Sequence, residues 1–164
     1  MNFKKLFETQ QVLRSRIAYN EPDRFGKLLL ATQVELGECA NEQRTWKFWS
    51  KDQKPRPKLL EEYVDGLHFV LEVGIELEMQ DEPVMYTTEH VDVTSQFNYL
   101  FYTIGEMYDV STRADDREEL MAIYDDVLSC YLGLGKMLGF TDHQIEQAYF
   151  EKNKVNHKRQ ESGY

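Results

Sequence analysis

Glu35 and Glu38 stand three residues apart, and so do Glu62 and Asp65, in two segments that read as strongly helical. On a helix that spacing puts both acids of a pair on one face. If the two helices face each other, four negative charges converge and repel unless something positive lies among them. Carboxylate oxygens suit a hard divalent cation, and Mg²⁺ is the usual one beside phosphates. A single Glu-x-x-Glu is more often an ordinary acidic helix face, so the weight rests on what accompanies it. Lys152, Asn156 and Arg159 share one face of the last predicted helix. They offer an ammonium, an amide and a guanidinium fork, the donors that a phosphate chain wants. Trp46-Lys47-Phe48-Trp49 follows the first acidic pair, and His68-Phe69 comes one turn after Asp65. Taken singly, the tryptophans and His68 read equally well as core residues, and the basic stripe as a solvated face.

The elements that must position these residues are all helical. Apolar residues recurring at helical spacing predict an all-α bundle of about six helices over Phe3–Ile17, Asp23–Trp46, Lys58–Met79, Thr94–Tyr108, Asp116–Leu138 and Thr141–Arg159. Pro22, Pro55, Pro57 and Pro83 all fall between periodic segments. Gln80 to Asp92 is polar and aperiodic, a loop. Gly139 suits a helix C-terminus, and Thr141-Asp142-His143-Gln144 has the form of a capping box. The last helix follows a glycine and ends in a polar tail, so it is expected to be weakly held until ligand binds. A faint echo joins Leu60–Asp65 to Ala122–Val127, too weak to count as a repeat.

The 164 residues suit one domain, 1–164, with a flexible tail at 160–164. A formal charge of −10 argues against nucleic acid as a partner, since phosphate backbones need basic patches. A small nucleotide held through metal ions remains compatible with it. The amino terminus lacks the apolar run of a signal peptide, and no stretch is long enough to span a membrane. Cys39 and Cys130 read as buried free thiols, which points to the cytoplasm.

Three runs carry a family resemblance. Glu35–Ser50, Glu61–Phe69 and Glu151–Gln160 closely resemble the all-α, dimeric dUTPases, within the MazG-type helical NTP pyrophosphatases. The resemblance covers nearly the whole chain, including Leu6-x-x-x-Gln10-Gln11-x-Leu13. It implies Mg²⁺-dependent hydrolysis of dUTP, and also of dUDP, to dUMP, by a homodimer. Two or three Mg²⁺ ions would lie among Glu35, Glu38, Glu62 and Asp65, with Glu35 orienting or deprotonating the attacking water. Lys152, Asn156 and Arg159, joined by Lys47, would hold the phosphates. Trp46, Trp49, His68 and Phe69 are candidates for base and sugar, and Gln11 for a hydrogen bond to uracil. Relatives often carry Asn or Asp where this chain has Arg14. An arginine cannot reproduce the paired donor and acceptor of an amide, so a house-cleaning pyrophosphatase acting on another deoxynucleotide, such as dCTP, is the alternative. A di-iron bundle would need Glu-x-x-His pairs, and neither Glu35 nor Glu62 has its histidine. A non-enzymatic acidic adaptor would explain the charge but not the convergence.

Overall fold

A computed structural model describes residues 1–81, 86–113 and 117–163. Six helices and no strand occur among them: α1 Phe3–Ile17, α2 Arg24–Gln43, α3 Leu59–Glu76, α4 Val93–Ser111, α5 Arg117–Met137 and α6 Asp142–Glu161. Pro83 in the predicted loop, Asp116 at the predicted start of the fifth helix and Tyr164 in the tail lie outside the described residues. The all-α expectation holds, and the differences lie at helix ends.

The predicted second helix ran to Trp46, but α2 stops at Gln43. Arg44 turns left-handed (φ 75°), and its N–H closes back on the Ala40 carbonyl. The Arg44 guanidinium is committed to the Asp52 carbonyl at 2.8 and 3.1 Å. The tryptophans therefore sit on a loop. The third helix was predicted to run to Met79, but α3 ends at Glu76. Glu78 takes φ 60°, and the Met79 N–H reaches the Gly74 carbonyl at 2.8 Å, a closure that satisfies end carbonyls. Gly139, at φ 84°, ends the turn after α5 as expected. Both halves of the Thr141–Gln144 capping box are formed at the start of α6.

The acidic helices α2 and α3 pack side by side, α4 lies against α2 and α5, and α6 lies across α1 and α3. All six contribute to one buried core, from Leu6 and Phe7 in α1 to Ile145 and Tyr149 in α6. Behind α3, Tyr63 stacks on Tyr131 of α5 with ring centroids 4.9 Å apart. Each hydroxyl donates to the other's carbonyl, Tyr63 to Tyr131 at 3.1 Å and Tyr131 to Tyr63 at 2.7 Å. Each also lies over a glycine. A Cβ on Gly66 would come within 2.1 Å of the Tyr131 hydroxyl, and one on Gly135 within 2.5 Å of the Tyr63 hydroxyl. Overpacking of this kind costs about 1–3 kcal/mol. Cys39 and Cys130 are buried and free. No helix described is long and apolar enough to cross a membrane.

The last helix is docked on the bundle in the absence of ligand. Ile145, Tyr149 and Asn153 are buried against the bundle. The chain's amino group pairs with Asp142 at 2.5 Å, and the Asn2 N–H donates to Glu146.

Candidate active site

The α2–α3 pairing brings Glu35, Glu62 and Asp65 together, with a ligand oxygen from each within 4.8 Å of the others. All three are half-buried. Burial raises the Glu35 carboxyl to about 7, reinforced by the charges of Asp65, Glu38 and Glu62 and opposed by Lys152. Burial, Asp65 and Glu38 raise Glu62 as well. Burial raises Asp65 too, and its hydrogen bond from Lys152 only partly offsets this. Glu38 is exposed and stands outside the close trio, although its charge is felt by both glutamates. One turn farther along α2, its side chain points past the cluster into solvent. A trio of carboxylates this close, shifted toward its neutral form, matches the oxygen donor set of a hard divalent cation such as Mg²⁺.

Lys152 reaches across from α6 and bonds Asp65 at 2.5 Å and Glu61 at 3.1 Å. Burial pulls its ammonium down, but the hydrogen bonds to Asp65 and Glu61 outweigh this and raise it. Asn156 and Arg159 continue down the same helix and line a cavity of about 440 Å³ together with Glu35, Asp65, His68 and Phe69. Two of the acids, Glu35 and Asp65, thus share one cavity with Asn156, Arg159, His68 and Phe69, built by α2, α3 and α6 with α1 as a further wall; Glu62 and Lys152 adjoin it through their contacts with Glu35 and Asp65.

Three expected residues, all in the loop after α2, stand elsewhere in the structure. Trp46 and Trp49 are exposed and meet edge to face at 5.3 Å. Lys47 donates to Asn41 at 2.6 Å and lies over the Trp46 ring. None of the three lines the cavity, and Trp46 instead borders a groove with Phe97 and Phe101 of α4. The change follows from the early end of α2. Gln11 does not line the cavity either, whereas its neighbour Gln10 does.

Sequence reasoning missed the polar wall of this cavity. Gln10 Nε2 donates to Glu72 Oε2 at 2.9 Å, and Gln10 Oε1 takes the Tyr149 hydroxyl at 2.8 Å. Arg24 donates to Glu72 Oε1 at 2.5 Å. Arg14 pairs with Glu76 at 2.5 Å and lies 3.4 Å from Glu72. Arg14 is therefore engaged by carboxylates and is not among the cavity residues. The one available signal was Glu72 itself, an acid inside the apolar run of α3. His68 stacks on Tyr149 with centroids 4.0 Å apart. Burial, then the Lys152 charge, pull His68 down to about 3, against a smaller opposing effect of the Tyr149 carbonyl. The ring is neutral at physiological pH.

Set beside known proteins, residues 2–164 match a family model described as dUTPase. No curated protein matches the chain.

Proposed function

The chain belongs to the dUTPase family, enzymes that hydrolyse dUTP and dUDP to dUMP, and on that premise we propose how its residues divide the work. Glu35, Glu62 and Asp65, joined by Glu38 through a side-chain rotation, would hold two or three Mg²⁺ ions. Bound there, the ions neutralise phosphate charge and polarise the phosphorus toward attack. Glu35 orients the nucleophilic water and accepts its proton. The water oxygen bonds the α-phosphorus while the α–β bridging P–O bond breaks, so pyrophosphate leaves dUTP and phosphate leaves dUDP. Lys152, Asn156 and Arg159 hold the phosphate chain. His68 and Phe69 form the wall against base and sugar, with a glutamine at the start of the chain beside them.

The observation that carries this reading is the cavity that joins Glu35 and Asp65, two of the clustered acids, to Asn156 and Arg159 and to His68 and Phe69. The dCTP alternative rests on Arg14, whose guanidinium is engaged by Glu76 and by Glu72 of the cavity wall, although Arg14 itself does not line the cavity.

Trp46, Trp49 and Lys47 fit a role across a homodimer interface. Leu30 and Val34 of α2 and Tyr102 of α4 are exposed in the protomer along with the tryptophans. A second copy covering that face would bring the loop near a nucleotide. Free buried thiols and a nucleotide substrate favour the cytoplasm as the compartment.

The test is release of pyrophosphate from dUTP, dCTP, dTTP and UTP, with Mg²⁺ and with chelator. Hydrolysis of dUTP that requires Mg²⁺ and exceeds the others by at least about a hundredfold supports the assignment, because a site built to hydrogen-bond one base rejects poor matches. Equal efficiency on dCTP would overturn the base assignment, and full activity in chelator would overturn the metal site.

A further inference from the structure

We propose that Glu72 is a positioning residue that acts through Gln10 to fix which nitrogen of His68 carries the proton, so that the site demands a base bearing a ring N–H. The inference rests on the nucleotide reading of the cavity, but its first step concerns the protein alone.

Two arginines fix the state of Glu72. Arg24 donates to Glu72 Oε1 at 2.5 Å, and Arg14 lies 3.4 Å from the same atom. Glu72 is buried among them and presents its other oxygen, Oε2, to the Gln10 amide. A carboxylate facing guanidinium groups is an acceptor. The Gln10 –NH₂ must therefore face Glu72, and its oxygen must face the other way. That oxygen lies 2.8 Å from His68 Nδ1 and 2.8 Å from the Tyr149 hydroxyl. An amide oxygen only accepts, so Nδ1 carries the hydrogen. A neutral imidazole has one N–H, which leaves Nε2 with a bare lone pair.

Nε2 is buried and has no hydrogen-bond partner in the protein. The Tyr149 carbonyl beside the ring would favour the opposite tautomer. It makes no hydrogen bond to Nε2, whereas Gln10 sits at full hydrogen-bond distance from Nδ1. A buried acceptor without a donor costs free energy until something supplies one. His68 forms part of the cavity wall with Phe69. The imide N–H of a uracil ring is a donor of the right kind, and a cytosine ring in the same pose offers a lone pair there instead. Gln10 would thus serve recognition while turned toward its own protein, and Glu72 would serve it without touching the base.

The experiment is long-range ¹H–¹⁵N NMR of the histidine rings in the full chain without nucleotide, with His68 assigned by its loss in His68→Asn. The expected result is a single Nδ1–H tautomer in the unmodified protein. Glu72→Gln introduces an amide that can donate as well as accept, which frees Gln10 to turn. His68 should then show the Nε2–H form, and KM for dUTP should rise about tenfold, the cost of one lost hydrogen bond, with kcat changed far less. Gln10→Met removes the acceptor by a second route and should release the tautomer in the same way. An Nε2–H ring in the unmodified protein, or an unchanged tautomer in both variants, would overturn the proposal. If the tautomer shifts as expected but dUTP is not a substrate, the relay stands and the nucleotide reading fails.

Discussion

At the scale of single residues, the acid trio makes the protein's stability depend on pH. Glu35 is raised from 4.5 to about 7 in the folded chain, chiefly by burial and then by Asp65, Glu38 and Glu62. A carboxyl that binds its proton more tightly when folded favours the native state in acid. That contribution is present in full below about 4.5 and is lost as pH rises through about 7. Without divalent metal, the melting temperature should therefore fall between those pH values, and Mg²⁺ should remove most of the fall. Thermal scans across that range in chelator and in Mg²⁺ check this, and Glu35→Gln should flatten the metal-free slope. A metal-free profile that rises through the same window would contradict the assignment. Residue types and spacings made Glu35, Glu62 and Asp65 legible in the sequence, because a three-residue period on a helix fixes a shared face. The glutamines were not resolvable that way. Gln10 and Gln11 are adjacent on α1, so they face different directions, and only the packing of α1 on α3 decides which one meets the cavity. Glu72 was hidden because its partners Arg24, Arg14 and Gln10 lie on other helices.

At the scale of the element, Lys152 and Arg159 of α6 stand in different surroundings. Lys152 is bonded to Asp65 and Glu61, so it already neutralises part of the acid cluster. Arg159 lines the cavity farther along the helix. Replacing Lys152 by Met removes a cation that competes for Asp65, and should tighten Mg²⁺ binding to the nucleotide-free protein while weakening nucleotide binding. Arg159→Ala should weaken nucleotide binding by about 1.5–3 kcal/mol, the worth of a charge-assisted contact, and leave nucleotide-free Mg²⁺ affinity nearly unchanged. Calorimetric titrations of Mg²⁺, and of a non-hydrolysable dUTP analogue, separate the two. Equal effects of both substitutions on Mg²⁺ would refute the division. The helices themselves were legible from apolar periodicity, and the ends of α2 and α3 were not. Arg44 and Glu78 adopt left-handed backbone without being glycine. Nothing in their residue types announces that. The cost is offset by bonds such as Arg44 to the Asp52 carbonyl in the following loop and Arg117 of α5 to Glu78, which the residue types alone do not reveal.

At the scale of the whole molecule, the charge of −10 and the exposed apolar face of α2 and α4 pull in opposite directions. A chain so acidic repels its own copies, so a stable pair would need an apolar contact. Leu30 and Val34 lie one turn apart and are both exposed. Replacing both by Asp should turn a homodimer into a monomer in sedimentation velocity, with the helical circular dichroism retained. A parent chain that sediments as a monomer at micromolar concentration would dispose of the dimer. The other face of the bundle has a different consequence. Tyr63 and Tyr131 are two bolts driven through the α3–α5 seam from opposite sides, each seated over the other helix's glycine. Sliding one helix along the other by a single residue would draw both bolts at once. The position of α3, and with it of Glu62 and Asp65, is therefore gauged from the rear, by aromatic rings that do not line the cavity. Drift in the sequence at that seam would move two of the three clustered acids before it altered any one of them.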